Sequence, residues 1–308
     1  MFISKTTTYL TVCVLHFDLL KNTLKKPPQI GWFFSVEPFH YVRYDRRKGV
    51  WDKMRQLLLV ITILLILILA SCTKSEADEK TEILVAAASS VMPALTKIAT
   101  EFEKTNTAIK ITFTFGSSGK LAQQIKSGAP IDVFISASSS DMDMLEEERK
   151  IESDTRIDIT SNTLVVIRQK NADNSLNNEG NPFMFEINHF GIGNPNTVPA
   201  GVYAKEALTK LGEWETLEPK FVYGKDVRQV LTFVETGNAE MGIVFTSDAQ
   251  SSSKVEVISE IDPTLHSSAV YPGAVVTATK QPKVASAFLD YMKTPEVQKI
   301  LVDYGFTN

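Results

Sequence analysis

From Glu82 onward, short apolar runs alternate with segments whose apolar residues recur every three or four positions. The first run, Ile83–Ala88, is short and rich in apolar residues, which is typical of a buried strand. Apolar residues at helical spacing follow it: Met92, Leu95, Ile98, Ala99 and Phe102. Pro93 fits the first turn of this helix, where a missing N–H is tolerated. The pattern predicts a strand that runs directly into a helix.

The same alternation continues to the C-terminal half of the chain. Further strands are predicted at Ile109–Phe115, Asp132–Ala137, "NTLVVIRQK", "FGIG", "KFVYG" and Met241–Phe245. Helices are predicted in "KLAQQIKSGAP", "SSSDMDMLEEERK", "VPAGVYAKEALTKLG" and "VRQVLTFVETG". The first should stop at Gly128 and Pro130 and the third at Gly212, the second is acidic, and Asp226 is the predicted N-cap of the fourth. This order predicts an α/β protein whose sheets are mostly parallel and covered by helices. Two runs of such units predict two lobes with a cleft between them.

The N-terminal region reads as a targeting signal and not as part of this fold. Met54 and Arg55 precede Leu57–Ala70, a run that is apolar except for Thr62. This run is short for a membrane span and has the length of a signal-peptide core. It ends in Leu69-Ala70-Ser71-Cys72, which resembles a bacterial lipoprotein signal with a cysteine that becomes lipidated. We therefore expect residues 54–71 to be a lipoprotein signal peptide; an uncleaved membrane anchor is the alternative.

The segments on either side of the signal carry little apolar patterning. Residues 1–53 show no periodicity, and we expect them to be an N-terminal extension from a start site placed too early, ahead of Met54. Residues 72–81 are polar and charged, which is typical of a flexible tether. Both readings of the signal place the folded part outside the cytoplasm.

Charge and composition narrow the functional classes. The chain of 308 residues has a formal charge of −4, but the excess of Lys and Arg lies before Cys72 and leaves the remainder acidic. This argues against nucleic acid as a partner. Cys13 and Cys72 are the two cysteines, so the folded part has no disulfide framework, and the four histidines are scattered without metal-ligand spacing.

Four predicted strand-to-helix junctions are built from small residues or residues that expose the backbone: "AAASS", "FGSSGK", "NTVPAG" and "YGKDV". Ligands of α/β proteins bind where strands end and helices begin. A helix N-terminus offers unpaired N–H donors and a partial positive charge, and serine adds a hydroxyl donor. Each junction alone is explained by an N-cap or a turn, whereas the four together favour an oxyanion site.

Catalytic patterns are weak by comparison. No serine stands in a G-x-S-x-G elbow, and "GSSGK" is too short for a phosphate-binding loop. Because the histidines are scattered, a Ser-His-Asp triad has little support. We expect a binding protein and not an enzyme; a secreted serine hydrolase that uses Ser89 or Ser118 is a remote alternative.

With these junctions in view, the chain resembles the molybdate-binding proteins of ABC importers. The matching residues are "AAASS", "FGSSGKLAQQIKSGAPIDVFISA", "VPAGVYAKEAL", "KDVRQVL", "GIVFTSDA" and "YGFTN", so the resemblance covers Ile83–Asn308. It implies a two-lobed, type II periplasmic-binding-protein fold. One lobe would comprise residues 82–161 and 271–308, and the other residues 162–270, with crossings near Asn162 and Tyr271.

The resemblance also implies how the ligand is held. Ser89 and Ser118 would each offer a hydroxyl and a backbone N–H, and Ala200 and Val227 would offer backbone N–H groups. Phe245 stands where the family commonly has a tyrosine, whose hydroxyl would donate one more hydrogen bond. Candidates for a substitute hydroxyl are Tyr223 and Tyr271.

The function that the resemblance implies is an extracytoplasmic, monomeric solute receptor, lipid-anchored through Cys72. It would capture molybdate or tungstate and deliver it to a membrane permease and an ATPase. It would bind the metal only as its oxyanion, without direct metal ligands and without a cofactor. Molybdate and tungstate are fully deprotonated at neutral pH, so they suit a pocket of donors, whereas phosphate keeps a proton and favours a carboxylate acceptor. Receptors for sulfate or another tetrahedral oxyanion, and a signalling or adhesion lipoprotein, are the alternatives.

Overall fold

The structure is a computed structural model that describes residues 46–71, 80–170, 183 and 187–307. Its contacts divide the chain into two units, Met1–Lys74 and Ser75–Asn308. Helix α1 (Arg46–Ser71) belongs to the first unit and runs through the predicted boundary between extension and signal peptide. None of the helices within the described residues is long and apolar enough to cross a membrane. The predicted lipidation residue Cys72 lies outside the described residues.

Two five-stranded sheets form the second unit. The first sheet contains β1 (Thr81–Ala88), β2 (Ile109–Gly116), β3 (Val133–Ile135), β4 (Ile157–Asn162) and β10 (Ala269–Val275), in the order β2-β1-β3-β10-β4. The second sheet contains β5 (Leu164–Gln169), β6 (Phe190–Gly193), β7 (Phe221–Gly224), β8 (Met241–Phe245) and β9 (Val255–Glu260), in the order β7-β6-β8-β5-β9. The predicted α/β class is therefore confirmed.

The expectation of mostly parallel sheets is confirmed, because in each sheet four of the five strands run in one direction and one strand, β10 or β5, runs against them. β1 pairs in parallel with β2 and β3, and β6 pairs in parallel with β7 and β8. In contrast, β10 is antiparallel to β3 and β4, and β5 is antiparallel to β8 and β9. The two antiparallel strands enter their sheets as the chain arrives from the other sheet, so no helical crossover imposes a parallel direction on them. The sheets are mixed.

Helices connect the parallel strands and cover the sheets. They are α2 (Met92–Thr105), α3 (Ser118–Lys126), α4 (Ser139–Glu147), α5 (Pro199–Lys210), α6 (Trp214–Leu217), α7 (Val227–Glu235), α8 (Thr246–Gln250), α9 (Pro282–Met292) and α10 (Pro295–Asp303). The predicted stops are confirmed, because Gly128 and Gly212 follow α3 and α5 with positive φ angles of 87° and 75°. The predicted N-cap is confirmed too: the Asp226 carboxylate accepts a hydrogen bond of 2.9 Å from the Gln229 N–H.

The chain passes between the two sheets at two places. Thr163 separates β4 of the first sheet from β5 of the second, and the return lies between Glu260 and Ala269. At the first passage, the Thr163 hydroxyl is hydrogen-bonded to that of Thr246 at 2.7 Å. These passages bring the carboxyl end of β1 close to the N-termini of helices that belong to the second sheet.

Candidate oxyanion-binding site

The four small-residue junctions meet at one small, partly open cavity. It is lined by Ala88, Ser89, Ser90, Gly116, Ser117, Ser118, Ala137, Val198, Pro199, Ala200, Val227 and Phe245. All five residues that the resemblance singled out are therefore brought together. The cavity's volume of about 10 Å³ is roughly that needed to hold one water molecule, so it is far smaller than the pockets of about 300–1,000 Å³ that take drug-sized ligands.

Ser89 lies where the buried strand β1 ends. Ala86, Ala87 and Ala88 precede it with at most 3% of their surface exposed, and the small side chains keep the backbone close to the cavity. The chain then forms one 3₁₀ turn, Ser89–Val91, before α2 begins. Ser89 itself is buried at the edge of the cavity, where its hydroxyl and the N–H groups of the turn are available as donors.

Ser118 opens helix α3 and is completely buried. Its Oγ accepts a hydrogen bond of 2.9 Å from the Ala137 N–H, so the hydroxyl proton remains free to be donated. The neighbouring Ser117 is also buried, and its Oγ has no hydrogen-bond partner within the described residues. A buried hydroxyl without a partner costs free energy unless a ligand or water pairs with it.

The other side of the cavity is formed by the N-termini of α5 and α7. Ala200 follows Pro199 at the start of α5, and Val227 is the first residue of α7. N–H groups in a first helical turn have no intrahelical acceptor, so those of Ala200 and Val227 are available to an anion. Both side chains are small or apolar and buried, which leaves the backbone as the source of hydrogen bonds.

Phe245 closes the cavity as a wall of aromatic carbon. It is 1% exposed, and its ring lies edge-on to Tyr203 and Tyr271, with centroid distances of 6.4 and 5.9 Å. The phenyl ring has no hydrogen-bond donor. Neither candidate for a substitute hydroxyl lines the cavity: Tyr223 is 45% exposed on β7, and Tyr271 is buried behind Phe245.

The Tyr271 hydroxyl nevertheless reaches the cavity wall indirectly. It lies 2.7 Å from the Ser90 Oγ and 3.5 Å from the Asn162 Nδ2. Ser90 lines the cavity, as Ser117 does, and neither was singled out from the sequence. The paired serines in "AAASS" and "FGSSGK" were a visible signal, but the sequence does not tell which member of each pair faces a cavity.

No charged side chain is among the described residues that line the cavity. The nearest acid along the chain from Phe245 is Asp248, which is completely buried on α8. Burial raises the pKa of Asp248 to about 7, although Arg228 lowers it through its guanidinium 3.8 Å away. Among the described residues, no cluster of His, Cys, Asp or Glu is placed to hold a metal ion. The cavity therefore offers hydrogen-bond donors without a carboxylate acceptor.

Two hydrogen bonds close the cavity across the two sheets. The Gly119 N–H of α3 donates to the Thr197 carbonyl at 3.2 Å, and the Tyr203 hydroxyl of α5 donates to the Ala137 carbonyl at 3.1 Å. Each bond joins a segment that follows a strand of the first sheet to a segment that follows β6 of the second. They hold the donor groups of both sides around the same space.

Comparisons with known proteins agree with this architecture. The family model described as bacterial extracellular solute-binding protein matches residues 83–307. The chain is 40% identical over 235 residues to the molybdate-binding protein ModA of Escherichia coli, covering 75% of this chain and 90% of that protein. It is 38% identical over 245 residues to YvgL of Bacillus subtilis, a lipoprotein assigned to substrate binding by an ABC transporter, covering 78% and 94%.

A solved structure is similar as well. It is a substrate-binding domain from Clostridium difficile assigned to a molybdenum ABC transporter. Its identity to this chain is 37%, its TM-score is 0.59, and the alignment covers 74% of this chain and 99% of that domain.

Proposed function

Because this chain belongs to the bacterial extracellular solute-binding protein family, we propose that it captures molybdate or tungstate and delivers the ion to an ABC importer. The importer would consist of a membrane permease and an ATPase. The relatives named for molybdate binding and for substrate binding by an ABC transporter support this role. The role is one of binding and transport.

One observation carries the proposal: four junctions from distant parts of the chain converge on a small cavity that is lined by hydrogen-bond donors and by no carboxylate. A fully deprotonated oxyanion presents acceptors on every side, so it can pair with each of these donors. Hydrogen phosphate would bring a proton for which the lining residues provide no carboxylate. Aligned dipoles in a site closed to water stabilise such an anion without a cationic side chain.

The proposed ligand set follows from this geometry. Ser89 and Ser118 donate from hydroxyl and backbone, and Ala200 and Val227 donate from backbone N–H groups. Phe245 contributes apolar surface. Ser118 is oriented in advance, because its oxygen already accepts from the Ala137 N–H.

Ligand capture would proceed by hinge closure. We assign residues 82–161 with 271–308 to one lobe and residues 162–270 to the other. The first hinge strand would cross at Thr163, and the second between Glu260 and Ala269. In this scheme the anion bridges donors from both lobes, and the Gly119–Thr197 hydrogen bond forms as they close.

The location of the protein is part of the same proposal. We place it outside the cytoplasm as a monomer anchored by lipid on Cys72, after cleavage of the signal at residues 54–71. The acidic character of the folded part repels an anion at long range, and salt screens this repulsion. Cys72→Ser should release the protein from the membrane fraction, and retention of the variant would contradict the anchor.

A catalytic role is disfavoured by the surroundings of the two serines. Within the part of the chain that the structure describes, no histidine lines the cavity. His189 is exposed and lies beside Glu240, and the His266 ring packs against Tyr203 with its Nδ1 at 2.7 Å from the Ser267 carbonyl. Neither is placed to activate Ser89 or Ser118. Ester turnover that Ser89→Ala abolishes would support the hydrolase instead.

Calorimetric titration with molybdate, tungstate, sulfate and phosphate tests the function directly. We expect tight binding of the first two ions and weak or no binding of the others. Binding should also stabilise the fold by about 4 kcal/mol at a thousandfold excess of ligand over Kd. A preference for sulfate would assign the chain to sulfate uptake, and the absence of heat with all four ions would refute an oxyanion receptor.

A further inference from the structure

Ser90 is the starting point of an inference that rests on the proposed function. Phe245 leaves the cavity without the hydroxyl that the resemblance places at this position. Ser90 lines the same cavity, is 2% exposed, and is hydrogen-bonded to a buried tyrosine that packs against the Phe245 ring. Its hydrogen-bond direction decides whether it can replace the missing donor.

The direction is set by Asn162. Its Oδ1 accepts a hydrogen bond of 3.0 Å from the Thr163 N–H, which identifies the other amide atom as nitrogen. Nδ2 donates to the Ser247 Oγ at 2.8 Å and reaches the Tyr271 hydroxyl at 3.5 Å. Because an amide nitrogen cannot accept, the Tyr271 oxygen is the acceptor in this contact.

The Tyr271 proton therefore points to Ser90. Among the described residues, the tyrosine oxygen contacts two groups, Asn162 Nδ2 and Ser90 Oγ, and of these only the serine oxygen can accept. Burial raises the pKa of Tyr271 well above its ordinary value, so the hydroxyl keeps its proton. Ser90 then accepts at 2.7 Å, and its own proton is left to be donated.

The Ser90 hydroxyl proton is free to be donated into the cavity. Within the described residues its hydroxyl has no hydrogen-bond partner besides Tyr271, and the residue lines the cavity. A hydroxyl that accepts from one side is polarised as a donor on the other. The series of hydrogen bonds from Asn162 through Tyr271 to Ser90 thus leaves the Ser90 hydroxyl as a donor at the cavity wall.

We propose that Ser90 is a further oxyanion ligand, that Tyr271 and Asn162 are its positioning residues, and that Ser90 replaces the hydroxyl absent at Phe245. Tyr271 acts from behind the wall, without touching the ion.

Titration of single and double variants with molybdate tests this scheme. Ser90→Ala should weaken molybdate binding about tenfold, within the range for a hydrogen bond to a charged group. Tyr271→Phe keeps the buried ring and should weaken binding less, because Ser90 loses its orientation but keeps its hydroxyl. The double variant should bind as Ser90→Ala does, since Tyr271 acts through Ser90.

Thr160→Val is the matched control. Thr160 is a buried residue on the same strand as Asn162, and its hydroxyl donates to the Thr307 carbonyl at 2.9 Å, away from the cavity. The variant should keep the parent Kd even if its melting temperature falls. This control distinguishes a weaker Kd that results from loss of a binding group from one that results from loss of stability.

The outcomes distinguish this inference from the proposed function. If the parent protein binds none of the oxyanions, the proposed function fails and the inference fails with it. If the parent binds molybdate and Ser90→Ala binds equally well, only the inference is overturned. Additive losses in the double variant would refute the positioning role of Tyr271. A loss in Ser117→Ala with none in Ser90→Ala would assign the donor to Ser117.

Discussion

The Gly119 N–H donates a hydrogen bond of 3.2 Å to the Thr197 carbonyl, and a Cβ on Gly119 would lie 2.8 Å from that oxygen. A real Cβ does not approach a carbonyl oxygen this closely, so the contact requires glycine. The two residues flank serine and valine positions that line the cavity from opposite sides. This hydrogen bond can therefore form only when the two sides of the cavity approach each other closely.

Gly119→Ala should weaken molybdate binding by about tenfold or more, which corresponds to about 1.4 kcal/mol. The methyl group would keep the two sides apart, so donors from both could not reach the ion together. Calorimetry measures the effect, and Lys120→Ala, at the exposed neighbouring position, is the control. An unchanged Kd would show that closure tolerates the methyl group.

Ser118→Ala should reduce molybdate affinity by about 10- to 100-fold, since hydrogen bonds to charged groups contribute about 1.5–3 kcal/mol. The variant loses the donated proton and also leaves the Ala137 N–H without its acceptor. Ser127→Ala removes an exposed hydroxyl at the other end of α3 and should bind as the parent does. Equal binding by both variants would exclude Ser118 from the ligand set.

Phe245→Tyr should tighten molybdate binding by up to about tenfold, because it adds a donor at a residue that lines the cavity. The gain is expected to be smaller than a full hydrogen bond if the hydroxyl displaces a bridging water. Combining it with Ser90→Ala should reduce the loss caused by the serine change alone. Weaker binding by the tyrosine variant would mean that the ring has no room for its oxygen.

Asp248→Asn should stabilise the protein increasingly as the pH rises. Burial raises the pKa of Asp248 from its ordinary value of 3.8 to about 7. Between these values the unfolded chain releases a proton that the folded chain retains, so the free energy of unfolding falls as pH increases. The amide removes this cost, and we expect a gain of about 1–4 kcal/mol at pH 8 relative to pH 4.

Urea unfolding at pH 4, 6 and 8 measures this difference. Arg228→Ala provides a comparison, because the guanidinium 3.8 Å away favours the ionised carboxylate. Between pH 4 and pH 8, the free energy of unfolding of this variant should fall by more than that of the parent. A penalty for Asp248→Asn that is equal at all three pH values would show that the substitution acts on packing and not through ionisation of the carboxylate.

Local patterns in the sequence were sufficient for seven of the ten described strands and for the chemistry of the helix ends, whereas β4, β9 and β10 were not predicted. The period of apolar residues predicted β1 and α2, and the Asp226 N-cap and the stop at Gly212 followed from helix-end chemistry. The donor junctions were equally visible, because a helix N-terminus exposes its N–H groups whatever surrounds it. These features depend on residues within a few positions of each other.

The tertiary structure decided what depends on distant partners. The antiparallel placement of β5 and β10 could not be read from strands that are apolar on both faces, since such strands carry no signal of direction. The role of Ser90 is similar, because its partner Tyr271 lies 181 positions away in the chain. Hydrogen-bond direction at a cavity wall is set by which groups the fold brings within hydrogen-bonding distance of each other. Asn162, Tyr271 and Ser90 come within that distance only when β4, β10 and the end of β1 assemble into one sheet.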